Sequence, residues 1–280
     1  VKHKTPVQAC SENEDFREFY EAVAEHYPEE DLVYRALRGI VRQKFVLHHM
    51  KQLNGRLLDL GCNRGSYSSL YRNGPTMGID ISHTVLRAAA ARVPKAFFVQ
   101  ADAQRLSCLR PATFDAILCT EVLEHVLKPE QVIASCHSLL RPGGKLLLTT
   151  PNYSRERPTW VPLGQLAEHN IQGPNGRSFY HSAFRPEELA HLARSAGFEK
   201  IEVGTFEKEV KYATRIPVVF FHIINRLNVI MSSDRIDSLN RRFLEKTSLY
   251  LYRMAVWLRV DPILRSLVHE GVRTFLIATK

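Results

Sequence analysis

The stretch Leu57-Leu58-Asp59-Leu60-Gly61-Cys62-Asn63-Arg64-Gly65, followed by a helix-compatible segment from Ser66 to Arg72, decides the fold. A short apolar run carrying an acid, then Gly61 and Gly65, reads as a buried strand feeding a tight turn at a helix N-terminus. At such a turn the backbone approaches a ligand closely and N–H groups point outward. A dinucleotide fold would place Gly-x-Gly-x-x-Gly here. This turn instead has Asp59 two residues before its first glycine, which suits a ligand with a positive ammonium group.

Outward from this turn the pattern repeats. Thr76 to Asp80 is a second short strand ending in an acid, about twenty residues after Asp59, where a carboxylate can accept hydrogen bonds from ribose hydroxyls. Ala96 to Gln100 is a third strand, followed by Ala101-Asp102-Ala103, where a polar side chain is placed for an adenine amino group. Phe114 to Cys119 is a fourth, running into Thr120-Glu121-Val122-Leu123-Glu124-His125-Val126. Leu140-Arg141-Pro142-Gly143-Gly144-Lys145 turns into a fifth, which ends at Thr150-Pro151-Asn152.

With these elements in this order, residues 56–152 resemble a class I S-adenosylmethionine-dependent methyltransferase. They are most similar to the ubiquinone/menaquinone-biosynthesis-like (methyltransferase type 11) branch, through the Glu-x-x-Glu-His-Val element and the Arg-Pro-Gly-Gly turn. The resemblance implies an α/β fold: a Rossmann-like, seven-stranded, mostly parallel sheet with helices on both faces. It implies S-adenosylmethionine as cofactor, bound by Asp59, Gly61, Cys62, Asn63 and Gly65 of the first turn, Asp80 and Ile81, Asp102 and Ala103, and Thr120. The family usually has Gly where this chain has Asn63; Asn tolerates positive φ better than most residues, so the turn is expected to persist.

Methyl transfer is an in-line displacement, so much of the rate comes from positioning, and an oxygen nucleophile must also lose its proton. Glu121, Glu124 and His125 follow the fourth strand on an expected helix, and their spacing puts all three on one face. Two carboxylates and an imidazole form either a general-base cluster or most of a divalent-metal site, with His181 as a further member. The set resembles that of small-RNA 3′-terminal 2′-O-methyltransferases, and the ubiquinone-pathway enzymes it also resembles are linked to magnesium. The catalytic expectation is therefore His125, helped by His181, Glu121 and Glu124, with Mg2+ or another divalent cation at those four residues as the metal version. The expected reaction is O-methylation of a hydroxyl on a small or lipid-like metabolite. Its rivals are metal-independent carbon or nitrogen methylation, an RNA-directed methyltransferase or RNA-binding protein, and a pseudo-enzyme that senses the cofactor.

The 280 residues are 45% hydrophobic and 24% charged, ample for one large domain with an appendage. Five cysteines, with no Cys-x-x-Cys pair, read as small apolar residues in a reducing compartment. With no charged-then-apolar leader and no long apolar run, a cytoplasmic protein is expected, trimmed at its start because it opens on Val1. The net charge is +9, and residues 208–271 hold eleven bases against six acids, so +5 of the surplus lies in one segment. No RNA-binding module is apparent, so nucleic acid is not the expected partner.

Three regions follow. Residues 1–50 are an N-terminal cap, with 1–10 disordered and Ser11 to Met50 helical; Tyr20 and Tyr27 are candidate lid residues, with core packing as the alternative. Residues 51–207 and 272–280 form the core. Within it, the Pro- and Gly-rich stretch 153–182 reads as a structureless, substrate-covering loop. A helix then starts at Pro186 and stops at Gly197, Lys200 to Phe206 is the sixth strand and Val272 to Ala278 the seventh, antiparallel to it. Residues 208–271 are a helical insertion before that last strand. It contains the apolar run Ile216 to Met231, broken by His222, Asn225, Arg226 and Asn228, and a second helix with Leu239, Phe243, Tyr250, Met254 and Trp257 on one face. The insertion could lie on a membrane as a peripheral contact or hold a lipid-tailed substrate. The alternative is a cap packed on its own domain or across a homodimer.

Overall fold

A computed structural model describes residues 12–27, 34–231 and 233–280; the expected disorder of residues 1–10 lies outside them. The first half of the chain forms α1 (Glu12–His26), α2 (Leu37–Met50), β1 (Leu57–Leu60), β2 (Thr76–Asp80), α3 (His83–Arg92), β3 (Phe97–Gln100), β4 (Phe114–Thr120) and α4 (Pro129–Leu139). The second half forms β5 (Leu140–Pro151), β6 (Trp160–Pro162), α5 (Gln165–Glu168), β7 (Ser178–Tyr180), α6 (Pro186–Ser195) and β8 (Lys200–Phe206), then α7 (Lys208–Met231), α8 (Asp234–Trp257), α9 (Asp261–Ser266) and β9 (Arg273–Thr279).

Seven strands make one sheet in the order β3-β2-β1-β4-β5-β9-β8. The pairs β1–β2, β1–β4, β2–β3 and β4–β5 are parallel. Parallel strands buried on both faces read as unbroken apolar runs, and β1 is buried at all four positions. The Glu199 N–H donates to the Thr279 carbonyl at 3.1 Å, joining the start of β8 to the end of β9, so these two strands run antiparallel, as expected. The core under the sheet includes Leu58, Ile117, Ile133, Leu146, Leu148 and Phe184. Because β1, β2 and β4 point the same way, Asp59, Asp80 and Thr120 come to one edge of the sheet.

Four local expectations are corrected. Among the described residues, the N-terminal helical region holds α1 and α2, with breaks at Tyr27 and at Arg35–Ala36, rather than one run to Met50. Ser66 to Arg72 is a string of turns rather than a regular helix, with the Ser69 hydroxyl bonding back to the Ser66 carbonyl at 2.7 Å. The segment after Asn152 is not structureless: β6 and β7 pair antiparallel, Trp160 opposite Tyr180, with the two rings edge to face at 5.8 Å. Glu121 to Val126 is no α-helix. Glu121 has φ +56, and a single 3-10 turn, Leu123–His125, follows it.

The chain divides into two compact units, one of Val1–Pro28, His49–Gly204 and Phe275–Lys280, the other of Glu29–His48 and Thr205–Thr274. The N-terminal region expected as one cap is therefore shared, with α2 grouping almost entirely with the helical insertion. Within the second unit Leu37, Val41, Val210, Ala213 and Tyr252 form a small core. Polar residues that break the apolar run of α7 hold α8. The Asn240 amide donates to Asn225 Oδ1 at 2.7 Å and to the Phe221 carbonyl at 2.9 Å, and the Asn228 amide donates to Asp237 Oδ1 at 2.7 Å. Among the described residues, no helix is long and apolar enough to cross a membrane.

The packing gives a direct stability expectation. Leu118→Ala, in the middle of β4 with no exposed surface, should cost about 3 kcal/mol in urea unfolding, whereas Phe97→Ala, 72% exposed on edge strand β3, should cost under about 1 kcal/mol.

Candidate active site

The turn after β1 carries three residues with left-handed backbone: Gly61 (φ +72), Asn63 (φ +48) and Gly65 (φ +70). A Cβ on Gly61 would stand 2.1 Å from Val122 Cγ2, so this position needs glycine for its space as well as its φ. Asn63 adopts the positive φ expected of it, and its Oδ1 accepts from the Arg64 N–H at 2.7 Å. The Gly61 and Cys62 N–H groups both bond to the Ile79 carbonyl of β2. Asp80, at the tip of β2, accepts from the Asn63 N–H at 2.9 Å through one oxygen and from the Ser82 N–H at 3.0 Å through the other.

Asp59 is buried and accepts from the Ser68 hydroxyl at 2.5 Å. Burial pushes its carboxyl up to about 6, against the pull of the Ser68 hydrogen bonds and with a further push from the Asp80 charge. A buried acid held near neutrality in this way gains from a cation beside it. Asp102 is half-buried and accepts from the Gln104 N–H at 2.8 Å, which orders its loop. Ala103 packs against the main core, and the Ile81 carbonyl accepts from the Gln100 amide at 2.9 Å. Thr120 is buried at the end of β4, beside Thr149 of β5.

The acids and histidines after β4 separate into two groups. With its left-handed backbone, Glu121 accepts from the Thr149 hydroxyl at 3.1 Å. Glu124, 1% exposed, accepts from the Thr150 hydroxyl at 3.2 Å. The 3-10 turn then brings His125 Nε2 to 3.9 Å from Glu124 Oε1. The Ser182 N–H donates to the Glu124 carbonyl at 2.8 Å, which draws the 180s loop in, and the His125 and His181 rings meet edge to face at 5.1 Å. Glu124, His125 and His181 each offer a ligand atom, all within 4.8 Å of one another. Glu121 is not part of that group, because the helix that would have aligned it does not form.

Helix α1 lies across this region. Glu21 accepts from the Ser82 hydroxyl at 2.8 Å, the His83 N–H at 2.5 Å and the Thr84 N–H at 3.2 Å, filling orphan donors at the start of α3. Burial raises its carboxyl, but these hydrogen bonds outweigh that and hold it below the usual range. The Arg64 guanidinium donates to the Ala24 carbonyl at 2.8 Å, so the arginine of the turn after β1 also holds α1. Just ahead of these two ties on α1 stands Tyr20. Its ring is edge-on to His125 at 5.6 Å, and its hydroxyl is buried with no hydrogen-bond partner among the described residues. Burial, then the charges of Glu124 and Asp80, keep that hydroxyl protonated. Phe19 stacks on Phe179 at 5.5 Å, so aromatic rings from α1 and β7 wall the histidines.

Residues 31–203 match a family described as a methyltransferase domain. The chain is 30% identical over 196 residues to the ubiquinone biosynthesis O-methyltransferase of Idiomarina loihiensis, covering 66% of this chain and 79% of that protein. The chain belongs to the class I S-adenosylmethionine-dependent methyltransferases. Pseudomonas aeruginosa has a protein of the same description, 29% identical over 189 residues, covering 64% of this chain and 81% of that one. Among solved structures, a phosphoethanolamine N-methyltransferase from Haemonchus contortus, in complex with phosphomonomethylethanolamine and S-adenosylhomocysteine, superposes with a TM-score of 0.57. It is 16% identical and covers 99% of this chain and 61% of that one, a likeness of fold alone.

For a methyltransferase, the strand-tip pattern placed the turn residues where the fold gathers them. Glu21, Ser68, Thr150 and Phe179 carried no such signal: each takes its place through a partner distant in sequence or through a turn with no regular period. The cofactor turn supplies a test. Gly61→Ala meets both the Val122 clash and the backbone penalty, so it should lose more than about 2 kcal/mol in urea unfolding and lose S-adenosylhomocysteine binding by calorimetry. Replacing Val122 by Ala in the same protein should return only part of the stability, because φ +72 remains.

Proposed function

We propose that this methyltransferase transfers a methyl group to a hydroxyl oxygen of a small or lipid-like metabolite, with His125 as general base. The observation that carries the proposal is the buried Glu124 carboxylate 3.9 Å from His125 Nε2, at the end of the strand adjoining the cofactor turn. The name of the curated relatives, ubiquinone biosynthesis O-methyltransferase, supports an oxygen acceptor. The aromatic walls from Phe19, Tyr20 and Phe179 favour a flat, partly apolar acceptor.

The residues present fit S-adenosylmethionine: a buried carboxyl at Asp59 for its ammonium, a turn open only to glycine at 61, and Asp80 with further acceptor capacity for ribose hydroxyls. When bound, it supplies a methyl group on a sulfonium, which the acceptor oxygen displaces in line as the carbon–sulfur bond breaks. His125 takes the hydroxyl proton as the carbon–oxygen bond forms. Glu124 stabilises the resulting imidazolium, and Thr150 holds the carboxylate in place. Tyr20, kept protonated, has its O–H free to donate to an oxygen that arrives beside His125.

In a second reading Glu124, His125 and His181 hold a divalent ion. Two imidazoles and one carboxylate do not fit magnesium, which demands oxygen ligands in near-ideal octahedral geometry; they fit a nitrogen-tolerant transition metal. Such an ion would lower the pKa of the acceptor hydroxyl.

The assay follows S-adenosylhomocysteine formation over a panel of phenolic and aliphatic alcohols with and without short prenyl tails. His125→Ala should lower kcat by about 10²–10³-fold while leaving S-adenosylhomocysteine affinity within a few-fold. Unchanged turnover would remove the base assignment, and full activity after exhaustive chelation would remove the metal reading. Asp59 adds a pH signature. Ligand ammonium requires the ionised carboxylate, and the carboxyl of the empty site titrates near 6, so affinity falls as pH drops through that value. S-adenosylhomocysteine should bind about fourfold more weakly at pH 5.5 than at pH 7.5, a difference that Asp59→Asn should abolish.

A further inference from the structure

The helical insertion lies beyond the matched residues 31–203, so family membership assigns it no role. Helix α7 presents three kinds of surface. Val210, Ala213 and Asn228 are buried. Ile216, Val219, Phe220, Ile223 and Leu227 recur every three or four residues on another face, and each is more than half exposed. Along the edge of that face, spaced to share one stripe, stand the exposed bases Lys211, Arg215 and Arg226, none of them paired with an acid among the described residues.

Helix α8 repeats the combination. The face expected to be a packing face is mostly open: Leu239, Phe243, Tyr250 and Trp257 are exposed, while Met254 is half-buried. Arg242, Lys246 and Arg253 run beside them, again exposed. Folded surfaces rarely leave apolar residues in such continuous rows unless something covers them.

We propose that the α7–α8 pair docks on an anionic lipid bilayer, its exposed apolar stripes entering the headgroup region while the flanking bases meet lipid charge. Three observations select this occupant. No described helix can span a bilayer, so the helices would lie on the surface rather than cross it. Rows of bases next to rows of aliphatic and aromatic residues match an interface that is anionic outside and apolar just below. A second copy packed antiparallel on the α7 face about a two-fold would bring like-charged ridges toward one another, which disfavours that arrangement. The proposal is independent of the acceptor chosen above.

The test is sedimentation of the full chain with vesicles of phosphatidylcholine containing about a third phosphatidylglycerol, against phosphatidylcholine alone. The protein should pellet with the anionic vesicles and stay in solution with the neutral ones. Near such a surface each base contributes about fivefold in partitioning, so R215Q/R226Q should weaken binding about tenfold or more. I223S/L227S should weaken it at least as much, through lost apolar insertion. Both variants should bind S-adenosylhomocysteine as the parent does, which shows that they are folded and keeps this test separate from that of the methyltransferase site. Failure of the parent to pellet, or variants that pellet like it, would overturn the proposal. So would a dimer in sedimentation velocity that I223S/L227S dissociates, since a second copy would then be the occupant.

Discussion

A single carboxylate ties the rim of this methyltransferase together. Asp80 stands at the tip of β2 and accepts one backbone N–H from the turn after β1 and another from the start of α3. A carboxylate accepting two backbone donors is a strong, directional tie. It fixes two adjacent βα turns to each other, the first of which carries the left-handed residues Gly61, Asn63 and Gly65. Glu21 takes the next donors of α3, so α1, and Tyr20 with it, is attached to the same few atoms. The histidine cluster is then faced by a side chain whose place depends on a carboxylate several strands away in sequence.

The sheet was legible because its strands are short apolar runs punctuated by acids and glycines, a pattern that survives any detail of packing. β2 and β8 begin and end where the sequence placed them, and β1, β3, β4 and β9 differ by a residue at one or both ends, while β5 takes in the turn before it. The acids at the strand tips were legible for the same reason. Side-chain convergence after β4 was harder. A spacing of three or four residues aligns side chains only on a helix, and Glu121 leaves β4 with φ +56, which rules a helix out there. Glu124 and His125 meet anyway because a 3-10 turn and the Ser182 N–H place them. Glu121 turns to Thr149 instead. The β6–β7 pair was hidden by its glycines and prolines, since what joins it is an aromatic pairing across the hairpin rather than any local period.

The alliance of α2 with the insertion was equally invisible. It rests on contacts such as the Arg42–Glu207 ion pair at 2.9 Å and the Lys44 bond to the Tyr252 hydroxyl at 2.7 Å, each between residues far apart in the chain. The asparagines of α7 look, in sequence, like interruptions of an apolar helix. In the fold, Asn225 and Asn228 are latches to α8, and Leu227 between them faces outward. Beside the small apolar core of Val210, Ala213 and Tyr252, this helical pair thus spends polar atoms inside while a row of apolar side chains stands outside.

Two carboxylates of this region, Asp59 and Glu21, differ in one further respect. Asp59, in the floor, titrates near 6, whereas Glu21, which fastens α1, is held below the normal carboxylate range. Acidification therefore reaches the floor first. A mildly acidic solution discharges Asp59 while α1 stays latched, so loss of charge beneath the turn and loss of architecture are separate events, in that order.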